Sequence, residues 1–191
     1  MSPPPPSESL GPEERRLLLE IAHTSIATGL HRGRPAAVEL HGLPPRLLRP
    51  GASFVSLHHG GRLRGCIGAL EARRPLAEDV AAHAFAAAFQ DPRFPPLVAG
   101  ELEGLEVEVS VLGPLEPLSF TNLEELQAAL VPERDGLVIE QDGRRATFLP
   151  VVWKQLPAPA AFLEALARKA GLGRLDPRRL RAWRYRAERI V

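Results

Sequence analysis

The stretch FVSLHHGGRLRGCIGAL, residues 54–70, spells a strand, a two-residue turn and a second strand. Gly60 and Gly61 lie between two apolar/polar alternations, and both central positions of a tight hairpin turn require the positive φ that glycine adopts without strain. With Gly60-Gly61 as the turn, an unbroken ladder pairs His59 with Arg62, His58 with Leu63, Leu57 with Arg64 and Val55 with Cys66. Val55, Leu57, His59, Arg62, Arg64 and Cys66 then share one face, and Phe54, Ser56, His58, Leu63 and Ile67 the other. His58 and His59 point to opposite faces and cannot chelate one ion together. Nor can His59 reach Cys66 along the strand, since the two are separated by on the order of 13 Å.

Working outward, helices flank the hairpin. Gly11-Pro12-Glu13-Glu14 opens one: proline suits the first helical position, and acidic residues there complement the helix dipole. Leu17, Leu18, Ile21, Ser25 and Thr28 give it an apolar stripe to about Leu30, before the breakers Gly33 and Pro35. Pro75 opens an Ala-rich helix with Leu76, Val80, His83 and Ala87 on one face, which must stop before Asp91-Pro92. LEVEVSVLG, residues 105–113, alternates strictly and predicts a strand with Leu105, Val107, Val109 and Val111 buried and Glu106, Glu108 and Ser110 wet. Asn122 caps a short helix, and residues 136–149 form a second hairpin turning at Asp142-Gly143. A helical stretch from Val151 to Ala170 is broken at Pro157 and Pro159, and RAWRYRAERIV closes the sequence as a strand. Hairpins and helices are interspersed without β-α-β spacing, which predicts an α+β fold, a mostly antiparallel sheet with flanking helices.

Composition narrows the function classes. The sequence has 191 residues, 45% of them hydrophobic, enough to bury a core. Lys+Arg of 24 against Asp+Glu of 23 leaves a net charge of +1, which disfavours a dedicated nucleic-acid binder. A single cysteine, Cys66, permits no intrachain disulfide, no C-x-x-C-type thiolate zinc site and no cysteine-held iron–sulfur cluster. No metal and no cofactor is expected. No apolar run approaches the ~20 residues of a membrane span. The start MSPPPPSES has no signal-peptide pattern, so a cytoplasmic location is expected. Residues 1–11 read as a Pro-rich tail expected to be disordered, and residues 12–191 as a single domain.

Two clusters could carry chemistry. Arg64-Gly65-Cys66-Ile67-Gly68 places glycines inside a strand, where they serve a bulge, a bend, or the close approach of a ligand or another backbone. Cys66 is either a packed thiol or a nucleophile, and in the second case Arg64 would stabilise its thiolate, or a base such as His83 would be brought in by the fold. His83 has the alternative of being a hydrogen-bonded core residue. Asp91-Pro92-Arg93-Phe94-Pro95-Pro96 holds an acid, an arginine and an aromatic in a stiffened loop, as a preorganised site requires, although a rigid helix stop with Phe94 in the core would use the same residues. Near the end of the sequence, Trp183 and Tyr185 alternate with Arg184 and Arg186, which predicts core-facing aromatics and solvated arginines rather than a nucleic-acid surface.

LRGCIG at 63–68, with FVSL at 54–57 before it and DPRFPPL at 91–97, EVSVL at 108–112, TFLP at 147–150 and KAGL at 169–172 after it, resembles the AmmeMemoRadiSam system protein A family, the AMMECR domain. The resemblance runs over about residues 12 to 190. It implies two unequal subdomains forming a cleft beside LRGCIG, and partners in a Memo-like protein and a radical S-adenosylmethionine enzyme. No established reaction comes with it. Its motif positions here are Leu63 to Gly68 and Asp91 to Phe94, while Val151 stands where the family pattern leads one to expect glutamine and His23 where it leads one to expect arginine.

The leading expectation is an accessory protein that binds a small anionic or planar ligand, or a partner, in a cleft at Arg64, Gly65, Cys66, Gly68, Asp91, Arg93 and Phe94. The alternative is an enzyme with Cys66 as nucleophile or redox thiol and Arg64 as its stabilising charge. A nucleic-acid or scaffold role resting on the Arg-rich C-terminal strand is the third.

Overall fold

The computed structural model describes residues 9–191; the remainder of the Pro-rich tail lies outside them. The fold is α+β, an antiparallel sheet with flanking helices. It divides into two compact units, the first ending at Leu112 and rejoined by Glu188–Val191, the second running over Gly113–Ala187.

The first unit contains α1 (Pro12–Arg32), α2 (Pro45–Leu48), β1 (Pro50–Gly51), β2 (Ser53–His59), β3 (Arg62–Gly68), β4 (Arg74–Pro75), α3 (Leu76–Phe89) and β5 (Leu105–Leu112). β1 pairs with β4, while β3, β2 and β5 lie side by side with β3 outermost. Val55, Leu57, Val107 and Val109 form the covered face of this sheet and pack with Leu18 and Ile26 of α1 and Val80 and Ala84 of α3. The buried stripe of α1 is Leu18, Ala22, Ser25, Ile26 and Gly29, one residue round the helix from the predicted one; Leu17 and Ile21 are only partly buried. Gly29 explains the rotation: a side chain there would overlap Phe85 and Phe89, so α1 and α3 cross where α1 has none. Gly33, at φ 64°, ends α1 in the left-handed conformation, two residues later than expected.

The folded part also starts earlier than expected. Leu10 is 3% exposed within the core, and its N–H donates to the Glu188 carboxylate, which also pairs with Arg15. The boundary at residue 12 is therefore corrected to Leu10: a leucine beside a Pro/Ser run reads as tail, but a distant glutamate and an apolar slot hold it.

The second unit contains β6 (Glu116–Pro117), α4 (Leu123–Ala128), β7 (Asp135–Gln141), β8 (Arg144–Phe148), α5 (Pro159–Lys169) and β9 (Arg181–Ile190), whose last residues belong to the first unit. The Asn122 side chain caps α4 by accepting from Glu125 N at 2.8 Å. Asp142 and Gly143 turn the β7/β8 hairpin with φ of 54° and 74°. Leu137, Ile139 and Ala182 on the sheet pack with Leu126 of α4 and Phe162, Leu163 and Leu166 of α5. Trp153 stacks on Phe162 at 3.8 Å between centroids and donates its indole N–H to Asp135 O. Trp183 and Tyr185 therefore lie on the sheet face opposite the helical core, contrary to expectation, because the small Ala182 is what faces the helices. Tyr185 is still buried, its hydroxyl bonded to Phe148 O and Thr147, whereas Trp183 is half-buried under the guanidiniums of Arg145 and Arg181. Nor is Arg184 simply solvated, since it pairs with Glu116 at 2.9 Å.

Candidate functional site

Gly60 and Gly61 turn the β2/β3 hairpin with φ of 56° and 72°, and His59 faces Arg62 and His58 faces Leu63 as predicted. The ladder then slips. Leu57 pairs with Gly65 instead of Arg64, and Ser56, not Val55, pairs with Cys66. Arg64 occupies a β-bulge, and the extra residue moves Cys66 to the opposite face from the one an unbroken ladder assigns it. There Ser56 Oγ donates to Cys66 Sγ at 3.2 Å. The next position across the sheet is Glu108, which pairs with Arg189 at 2.7 Å. Glu108 and Ser110, expected to be wet, are buried.

Both strand glycines permit close approach of protein rather than of ligand. A Cβ on Gly65 would overlap the Ala87 carbonyl oxygen of α3, and one on Gly68 would overlap the Phe54 ring and Ser53 O. The bulge and the helix contact therefore account for them, and Gly65 and Gly68 offer no free main-chain cradle of the kind the sequence suggested.

The two arginines have different situations. Arg64 binds Glu101 through Nε at 2.7 Å and Nη2 at 2.9 Å, with its side chain 12% exposed and its buried Nη1 without a hydrogen-bond partner. Its charge is committed, which corrects its assignment as the group that stabilises a Cys66 thiolate. The Arg64 guanidinium, with the N–H of Val98, holds the Glu101 carboxyl down at about 2. Arg93 instead lies next to Cys66. Its Nη2 donates to Cys66 O at 3.1 Å, and its pKa is raised chiefly by the hydrogen bonds to the Asp91 side chain. Asp91, with a side chain only 2% exposed, anchors the arrangement: it accepts from Cys66 N at 2.9 Å, Arg93 N at 3.1 Å, Arg93 Nε at 2.9 Å and Arg93 Nη2 at 2.6 Å. The Arg93 hydrogen bonds keep its carboxyl far below the ordinary carboxylate range. Phe94 lies half-buried between the two guanidiniums, 5.5 Å from Arg93 and 6.0 Å from Arg64, rather than in the core.

Cys66, Arg93, Asp91 and Phe94 are thus brought together; His83 is not with them. It sits across the sheet, its Nδ1 3.1 Å from Asp79 Oδ2 and 3.4 Å from Ser53 Oγ. Ser53 also donates to Asp79 at 2.7 Å and is fully buried. In a nucleophilic triad the histidine stands between the acid and an accessible hydroxyl; here Ser53 and His83 share one Asp79 oxygen, a core arrangement. Residues missed by sequence reading are Ser56 and Glu101. Ser56 carried a signal, a hydroxyl in the strand opposite Cys66, but only the bulge puts the two in register.

Residues 19–190 match the AMMECR1 family model. The chain belongs to the AMMECR1 family. It is 35% identical over 200 residues to a Thermofilum pendens protein, covering 95% of this chain and 91% of that one. A Methanothermobacter thermautotrophicus protein is 37% identical over 164 residues, with 85% of each covered. The crystal structure of the uncharacterized protein PH0010 from Pyrococcus horikoshii superposes with a TM-score of 0.81 at 32% identity, over 90% of this chain and 88% of that one.

Within this AMMECR1 domain, the two positions that depart from the expected pattern, Val151 and His23, are both exposed. Two clefts lie away from Cys66. One of about 510 Å³ in the second unit is lined by Leu123 and Gln127 of α4, Leu163 and Glu164 of α5, and Arg174 and Leu175. The other, about 250 Å³ and mostly apolar, runs between Leu17 and Ile21 of α1 and Val38 and Leu43. Among the described residues no group of three or more His, Cys, Asp or Glu side chains could hold a metal ion, and no helix is long and apolar enough to cross a membrane.

Proposed function

We propose that this AMMECR1 domain is a cytoplasmic accessory protein of the AmmeMemoRadiSam type that binds a small anionic ligand, or an anionic group of a partner, at Arg93 beside Cys66. The observation that carries this is the Arg93 guanidinium: 55% exposed, yet fixed by a buried carboxylate through Nε and Nη2 and by the Cys66 carbonyl. Nη1 takes no part in these bonds, which leaves a charged donor on a side chain that loses little freedom when an anion arrives. The Memo-like and radical S-adenosylmethionine proteins are the partners proposed on the family resemblance, and one of their products is the natural source of such an anion. Iodoacetamide alkylation of the single thiol is the test, with inorganic phosphate as the competing anion. Phosphate is expected to slow alkylation of Cys66 in the parent protein and not in Arg93→Ala; equal rates with and without phosphate in the parent would overturn the anion site.

A second reading has its own observation, the Ser56 hydroxyl donating to Cys66 Sγ. That contact, with Arg93 close by, equally suits a nucleophilic thiol. Its signature is a stoichiometric burst of nitrophenol from p-nitrophenyl acetate that is absent in Cys66→Ala, and a parent protein without the burst removes it.

A further inference from the structure

The cleft between α4 and α5, about 510 Å³, has the size of a small-ligand site. Its floor is apolar: Leu163, Ala167 and Leu172 are buried, and Leu123 and Leu175 pack beside them. Local hydrogen bonds fix that floor and the loop that follows it. Leu172 N donates to Ala167 O at 2.9 Å, which folds the chain back over the end of α5. The buried Gln141 side chain then clamps the loop, its Nε2 donating to Arg174 O at 3.0 Å and its Oε1 accepting from Asp176 N at 2.9 Å.

Three exposed charged side chains line the cleft, Glu124 of α4, Glu164 of α5 and Arg174 of the clamped loop. Among the described residues none of these three charged groups has an ion-pair or hydrogen-bond partner. Their neighbours do: Glu125 accepts from Thr121 N at 2.7 Å, and Arg179 pairs with Asp142. A ligand of one sign would satisfy part of this lining and repel the rest, and a neutral apolar ligand would strip water from all three charges without return. An ammonium group, a carboxylate and apolar bulk on one molecule satisfy the two glutamates, the arginine and the floor together.

We propose that this cleft binds a short apolar peptide by its free termini, the ammonium at Glu124 and Glu164, the carboxylate at Arg174 and the side chains on Leu163, Ala167 and Leu172. The fixed loop and helices need little ordering when the peptide arrives. All of these residues belong to the second unit and none to the group around Cys66, so the site is separate from the anion site at Arg93.

Equilibrium dialysis of leucyl-leucine against the full chain is the test, with leucyl-leucine amide and N-acetyl-leucyl-leucine as the forms that lack one charge each. The parent is expected to retain the free dipeptide and to bind either blocked form at least about tenfold more weakly, the equivalent of one charge-assisted hydrogen bond. Arg174→Ala is expected to abolish only the preference over the amide, and Glu124→Gln/Glu164→Gln only the preference over the N-acetyl form. The three side chains are exposed, so these variants keep the parent's cooperative melting. No retention by the parent, or equal retention of the three forms, would overturn the proposal, as would preferences that survive the substitutions. Retention lost in Arg93→Ala and kept in Arg174→Ala would also overturn it, by placing the peptide at the Cys66 site.

Discussion

At the scale of single residues, Gly65 and Arg64 decide what surrounds Cys66. Gly65 lets β3 lie against the Ala87 carbonyl, and Arg64, placed in the bulge, turns away to Glu101. Gly65→Ala is expected to cost at least the ~3 kcal/mol that overpacking can reach, because the obstruction is helix backbone and not a movable side chain. A lowered urea midpoint with unchanged slope would be its signature. Arg64→Ala is expected to cost about 1–3 kcal/mol through the unpaired Glu101 carboxylate and lost packing on Phe94, while leaving phosphate protection of Cys66 intact. Loss of that protection would return the anion site to Arg64. The composition of the site was legible in the sequence: LRGCIG and DPRF are the two motifs that meet. Which arginine lies beside Cys66 was not, because a one-residue bulge exchanges the faces and leaves no local signal beyond the strand glycines.

At the scale of elements, periodicity located the helices and strands well, since burial on one face imposes 3.6- or 2-residue spacing whatever the partner is. β5, the β7/β8 hairpin and the Asn122 cap follow from local chemistry alone. Periodicity was weaker on which face is covered. In β9 the small Ala182 faces the helices, and in β5 both faces are largely buried, so polarity alternation misjudged what was wet. The start of α1 makes the same point, for Leu10 belongs to the folded core. Deletion of residues 1–10 is therefore expected to destabilise the protein by about 2–5 kcal/mol, the range for truncating a buried leucine. Thermal melting against the full chain is the check, and an unchanged melting temperature would show that Leu10 contributes nothing.

At the scale of the whole molecule, pH reports the summed ionisations. The Glu101 carboxyl lies near 2 against an ordinary value of 4.5, and those of Asp91 and Asp135 are also lowered, Asp135 by Arg134 and the Val131 N–H against the opposing effect of burial. A carboxylate with a folded value below its unfolded one stabilises fully above the unfolded value and loses that contribution as pH falls toward the folded one. Stability is therefore expected to decline from about pH 4.5 downward, with Glu101→Gln flattening the part of the decline between 4.5 and 2. Burial raises the Tyr185 phenol, so its contribution is present below pH 10 and lost above it, which predicts a second decline in alkali that Tyr185→Phe reduces. Denaturant midpoints across pH 2–11 measure both.

The sequence by itself determined the class of fold, the position of nearly every element, the family and the two motifs that meet. These depend on spacing, turn chemistry and residue type, which act within a few positions along the chain. Only the tertiary structure decided the face on which Cys66 lies, the commitment of Arg64 to Glu101, the placement of Arg93 over the Cys66 main chain and the burial of Leu10. Each of these is a pairing between residues distant in sequence. A bulge shifts register by one residue without changing composition, and an ion pair forms with whichever partner the packed elements bring within reach.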